Sequence, residues 1–169
     1  MDTQYFLPSF EQIASHEEHF MRAALREALK AYEQDEVPVG AVVVLHGEII
    51  ARGYNQVETL QDATAHAEML AITSAAAALG NWRLEKCTLY STLEPCPMCM
   101  GAMILSRLPR LVWGAKDLRH GANGSWVDLT EKKHPIHTVS IESGVLEDFC
   151  RRPLQTFFAE KRKKNDLSA

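Results

Sequence analysis

Four residues, split between two short segments, constrain this chain more than anything else in it. His66-Ala67-Glu68 is followed some 30 residues later by Pro95-Cys96-Pro97-Met98-Cys99. One imidazole and two thiolates fill three corners of a zinc tetrahedron, so a fold that uses them must bring both segments to one ion. A structural site closes the fourth corner with another Cys or His, whereas a catalytic site leaves it for water. Neither segment offers a fourth such ligand. Glu68, two positions after the histidine, is the type of group that moves a proton to and from that water. The pattern points to hydrolytic chemistry at zinc.

Local geometry limits where these residues can sit. Positions i and i+2 of a regular helix face different ways, so His66 and Glu68 share a target only near a first turn. Cys96 and Cys99, at i and i+3, are neighbours on one side of a first turn. Pro97 lacks an N–H, which costs nothing at a helix start. Positive helix N-termini also favour the thiolate form that binds zinc. Alone, Cys-x-x-Cys is as much a redox pair or a metal knuckle, and His-x-Glu says almost nothing. Their combination in this order, with one helix and one strand between them and Pro on both sides of Cys96, is what carries the reading.

The surrounding pattern is α/β. Apolar residues at helical period predict a helix over residues 10–32. Gly40–Leu45 is β-branched and reads as a buried strand, reversing through His46-Gly47-Glu48 into a second strand over residues 49–54. Residues 55–63 are polar and read as irregular. A helix over 65–79 ends at Gly80-Asn81. Then come a strand over 88–93, a helix over 98–108, a short strand over 111–114 and a Gly-containing loop over 119–125. A last strand over 138–141 and a helix over 146–163, with Pro153 near its start, complete the set, and the tail after Lys163 is expected to fray. Such alternation indicates a layered sheet with helices on both faces. At 169 residues the chain reads as one domain, with its core at about residues 10–162.

Composition separates the remaining classes. No apolar stretch approaches a membrane span and no secretory signal is visible, so a cytoplasmic protein without membrane attachment is expected. Four cysteines suit metal or reduced thiols better than a disulfide scaffold. Cys87 and Cys150 read as buried small hydrophobes, Met98, Met100 and Met103 as core. His16, His19 and His46 read as surface residues, and His120, His134 and His137 as loop residues without an assigned role. Charge is uneven: residues 1–80 hold 4 basic and 12 acidic side chains, residues 81–169 hold 14 and 10. Arg151-Arg152 and Lys161-Arg162-Lys163-Lys164 concentrate the excess, either as solvated surface or as a phosphate-binding face.

The run Thr64-Ala65-His66-Ala67-Glu68 with Thr92-Leu93-Glu94-Pro95-Cys96-Pro97-Met98-Cys99-Met100-Gly101-Ala102 resembles the bacterial tRNA-specific adenosine deaminases, the TadA family. So do Val112-Trp113-Gly114-Ala115-Lys116-Asp117 and Gly121-Ala122-Asn123-Gly124-Ser125. The zinc motif alone is common to zinc deaminases of several bases; the segment from Gly101 through Ser125 points to the tRNA enzyme. The resemblance implies a cytidine deaminase-like three-layer fold with a mixed five-stranded sheet and a homodimer carrying one Zn2+ per subunit. It implies conversion of adenosine to inosine at wobble position 34 of an arginine tRNA, presented in the anticodon loop. By the same resemblance His66, Cys96 and Cys99 match the zinc ligands, Glu68 the proton shuttle, and Asn55 a residue that holds the nucleoside. Two other readings stay open on the residues: a deaminase of guanine or a small nucleoside, and a non-enzymatic zinc module that binds nucleic acid.

Overall fold

A computed structural model describes residues 3–168. Its centre is a five-stranded mixed sheet in the order β2-β1-β3-β4-β5. The strands are β1 (Gly40–Leu45), β2 (Glu48–Tyr54), β3 (Cys87–Leu93), β4 (Arg110–Ala115) and β5 (Ser140–Ser143). β1 pairs antiparallel with β2 and β3, while β3–β4 and β4–β5 are parallel. The β1–β2 reversal is made by His46 and Gly47, both at positive φ (51° and 82°), as a two-residue hairpin matched to strand twist requires.

Helices cover both faces because β1, β3 and β4 are apolar on both. Ala41, Val43, Leu89 and Leu111 pack with α3 (Ala67–Leu79) and α4 (Pro97–Leu105). The alternate residues Val42, Val44, Tyr90 and Val112 pack with α1 (His16–Glu33) and with Cys150 of α5 (Glu147–Ser168). This period of two fixes register, since a one-residue slip would exchange the two cores. Two glycines set how closely the layers approach. A Cβ on Gly40 would lie 2.1 Å from the carbonyl oxygen of Ala24 in α1, and one on Gly53 would lie 2.3 Å from that of Ala67 in α3.

Several boundaries differ from the sequence reading. The first long helix begins at His16, not near residue 10, because Ser15 and Glu18 form a capping box: Glu18 N donates to Ser15 Oγ at 3.2 Å and Ser15 N to Glu18 at 3.2 Å. Residues Phe10–Gln12 form a separate 3-10 turn. The polar stretch 55–63 contains a four-residue helix, α2 (Val57–Leu60). α5 extends past Lys163 to Ser168.

Candidate active site

His66 is the N-cap of α3 and Cys96 the N-cap of α4, both in extended conformation, with Pro97 in the first turn after Cys96 and Cys99 three residues in. Helix propagation from these caps aims the three side chains at one point. Cys96 Sγ and Cys99 Sγ are each 3.6 Å from His66 Nδ1 and 3.7 Å from each other. A tetrahedral zinc with Zn–N about 2.0–2.1 Å and Zn–S about 2.3 Å sets N···S near 3.6 Å and S···S near 3.8 Å. The donors therefore fit zinc in both type and spacing, and among the described residues they are the one such cluster of three.

The electrostatics of the chain itself suit a dication. Contact with Cys99 first, and with His66, brings the Cys96 thiol down to about 4 against the opposing effect of burial. Cys99 moves the other way, held protonated by its contact with Cys96 and by burial. A bound zinc ion would displace the thiol protons that remain. His66 is raised by Cys96 above all, with burial opposing and the charges of Glu68 and Asp117 adding.

Glu68, in the first turn of α3, is 3% exposed and accepts a hydrogen bond from Ser91 Oγ of β3 at 3.2 Å. Burial is the main cause that raises its carboxyl above the ordinary value, so it holds a proton more readily than a solvated glutamate. Asn55 follows β2 and is 7% exposed. The backbone brings its segment beside the histidine, because Gln56 N donates to Ala65 O at 3.0 Å.

Two buried glutamates escaped the sequence reading. Glu36, 1% exposed, accepts from Asn55 Nδ2 at 3.1 Å and from the backbone N–H of Glu58 and Thr59 at 3.3 and 2.6 Å. A carboxylate only accepts, so this contact fixes which end of the Asn55 amide faces it. Glu94, also 1% exposed, accepts from Asp117, Asn123 and Ser125. A signal existed in both cases, an acid set into an apolar or proline-flanked stretch: Glu36-Val37-Pro38-Val39 and Leu93-Glu94-Pro95-Cys96. His134 Nδ1 accepts from the backbone of Ile136 and His137 within its loop, and the His137 ring bonds Leu108 O, between α4 and β4, at 2.7 Å. His120 is exposed beside Asp117. Cys87, Cys150, Met100 and Met103 are buried core.

Residues 14–115 match the family model described as the cytidine and deoxycytidylate deaminase zinc-binding region. Over 150 residues, 89% of this chain and 93% of the relative, the chain is 51% identical to a tRNA-specific adenosine deaminase of Bacillus subtilis. The chain belongs to the tRNA-specific adenosine deaminase family. Another member, the chloroplastic tRNA(adenine(34)) deaminase of Arabidopsis thaliana, is 51% identical over 84% of this chain, which spans 12% of that longer protein. A solved structure from work on A-to-I editing by tRNA:A34 deaminases at the wobble position superposes with TM-score 0.77 at 46% identity, covering 80% of this chain and 99% of that one. The guanine deaminase of Nitrosomonas europaea shares the fold at TM-score 0.71 and 26% identity, covering 84% of each chain. The five-stranded mixed sheet is the cytidine deaminase-like fold of these deaminases, and zinc is the cofactor their shared region is named for.

Proposed function

We propose that this chain deaminates adenosine to inosine at wobble position 34 of a tRNA, an arginine tRNA in the first instance, with His66, Cys96 and Cys99 holding one zinc per subunit. The observation that carries the reading is the three-donor site with a buried carboxylate beside it, set in a chain half identical to tRNA-specific adenosine deaminases. Zinc, when bound, supplies the Lewis acidity that lowers the pKa of a water from about 16 to about 7. Glu68 takes the proton released by that water and delivers it to N1 of the purine, which makes C6 electrophilic. The water oxygen adds at C6 as hydroxide, and Glu68, a carboxylate again, takes the remaining proton of that oxygen and passes it to the amino group, which leaves as ammonia while the C6–O bond becomes the carbonyl of inosine. Asn55, held by Glu36, orients the nucleoside. The reacting carbon is out of reach in a stacked helix, so the substrate is a splayed base in the anticodon loop.

The resemblance of the motifs supports a homodimer working in the cytoplasm as one deaminase domain with its core at residues 10–162. Among the described residues no helix is long and apolar enough to cross a membrane. The test is incubation with total tRNA followed by sequencing, where inosine at position 34 reads as guanosine. Conversion there supports the proposal. Absence of conversion together with ammonia release from free guanine would favour the guanine-deaminase reading, which shares the fold. The metal assignment has its own check: a Cys96→Ala, Cys99→Ala double variant that keeps a full equivalent of zinc would overturn it.

A further inference from the structure

Residues 117–126 form a loop with exposed apolar and aromatic tips, Leu118 and Trp126, and no long strand or helix to brace it. Its own turns and the Asp117 carboxylate, which accepts from Arg119 N and His120 N, shape it from within, and one side chain from outside the loop gathers it. Glu94 accepts from Asp117 N at 3.2 Å, Asn123 N at 2.9 Å, Ser125 N at 3.2 Å and Ser125 Oγ. The loop lies so tightly over this carboxylate that a Cβ on Gly121 would sit 2.3 Å from Glu94 Cδ. Among the described residues Glu94 makes no ion pair. Its buried charge is met by backbone and hydroxyl donors alone, and bonds to an ionised acceptor are stronger than neutral ones. The other end of the same residue leads directly into the metal turn, and Ala122 N donates to Pro95 O at 2.9 Å. Loop and metal turn are thus fastened to each other through residues 94 and 95.

We propose that Glu94 is a positioning residue that clamps the 117–126 loop against the metal turn, so that the loop forms a fixed wall for the RNA substrate. The proposal rests on the tRNA-deaminase reading above. Arg119 and His120 lie exposed on this loop with Trp126, a cationic and aromatic set suited to phosphates and unpaired bases. A wall already ordered spares the bound state the entropy of ordering it, which is an effect on substrate affinity and not on proton transfer.

Glu94→Gln tests this with little change of shape. Each carboxylate oxygen serves two donors, whereas the amide nitrogen serves none. In the best orientation Ser125 Oγ turns to accept, and Asp117 N–H loses its partner. For the zinc-loaded variant acting on an anticodon stem-loop, the expectation is a KM raised roughly tenfold with kcat within about threefold of wild type. Zinc content should be unchanged, with faster backbone amide exchange at Asp117, Asn123 and Ser125. Gly121→Ala, which pushes the loop off the same carboxylate, should reproduce the pattern, and it keeps the proposal testable if Glu94→Gln folds poorly. A lower melting temperature with unchanged KM and unchanged loop exchange would make Glu94 merely structural and overturn the proposal. Should the wild-type protein leave the stem-loop unreacted, the tRNA reading fails and the exchange rates alone judge the clamp: faster exchange upholds it, unchanged exchange overturns it.

Discussion

Glu68 sits two residues after one proposed zinc ligand, shielded from water and bonded to Ser91. Its proposed work, moving a proton more than once per turnover, needs a group that can be both acid and base. Gln keeps the shape and the Ser91 contact but cannot do this. Glu68→Gln should keep zinc and fold while losing about 10⁴-fold or more in turnover, the upper end for a general acid–base group. A variant retaining more than about a tenth of wild-type activity would assign the shuttle to another residue. Asn55 and Glu36 form a second linked pair. With Glu36→Gln, an NH2 group can face the Asn55 amide, which then turns its oxygen inward and presents the opposite group to the substrate. Glu36→Gln and Asn55→Ala should each raise KM by about tenfold, and the double variant should lose no more than the worse single one. Fully multiplicative losses would mean that Glu36 does not act through Asn55.

The helix α3 brings His66 and Glu68 to the site, and its height above the sheet is set by Gly53 in β2. The atoms a Cβ would meet there are backbone, Ala67 O at 2.3 Å and Ala71 N at 2.7 Å, so no side chain can move aside. Gly53→Ala should destabilise the protein by about 1–3 kcal/mol, the range for overpacking, and weaken zinc retention because the first turn of α3 is displaced. Urea unfolding and metal content of the purified variant check both effects. A stable variant with full zinc would show that α3 can lift without moving His66. Much at this scale was legible in the sequence. β1 announced itself by an unbroken Val run, and α4 by Cys96-Pro97 followed by Met and Ala. The same spacing that named His66, Cys96 and Cys99 also placed them at helix starts. The start of α1 was misplaced because Phe10 and Ile13 continue the apolar period, while the capping box at Ser15 and Glu18 stops it. The flanks of Glu36 and Glu94 signal buried acids but not their place in the site, since their donors lie 19 to 31 residues away in the chain. No local pattern reveals which distant N–H groups will surround a carboxylate.

Over the whole molecule, the strand directions gather every proposed site residue at one end of the sheet. Glu36 precedes β1, Asn55 follows β2, Glu94 to Cys96 follow β3, and Asp117 follows β4. The pairings Gly40↔Tyr54, Ala41↔Ser91 and Leu93↔Ala115 put these ends side by side. α5 reaches the same neighbourhood from outside: Lys161 Nζ meets Asp35 at 2.7 Å, next to Glu36. That ion pair ties Lys161 to the protein itself, leaving Arg162, Lys163 and Lys164 as the exposed cations of the basic run. Changing these three to Gln should raise KM for whole tRNA and reduce the slope of log affinity against log salt. At the upper limit the reduction is about 0.7–0.9 for each phosphate no longer neutralised by a cation. Identical slopes in the two proteins would leave the run a solubility feature. The opposite end of the sheet has no part in any of this. The His46-Gly47 turn lies there, about 17–20 Å from the site along six-residue β1, with open space around Gly47. For anyone wishing to attach a fluorophore, an affinity handle or a second enzyme within the chain, that two-residue reversal is the splice point: cargo inserted there hangs from the far side and leaves the path of the incoming RNA clear.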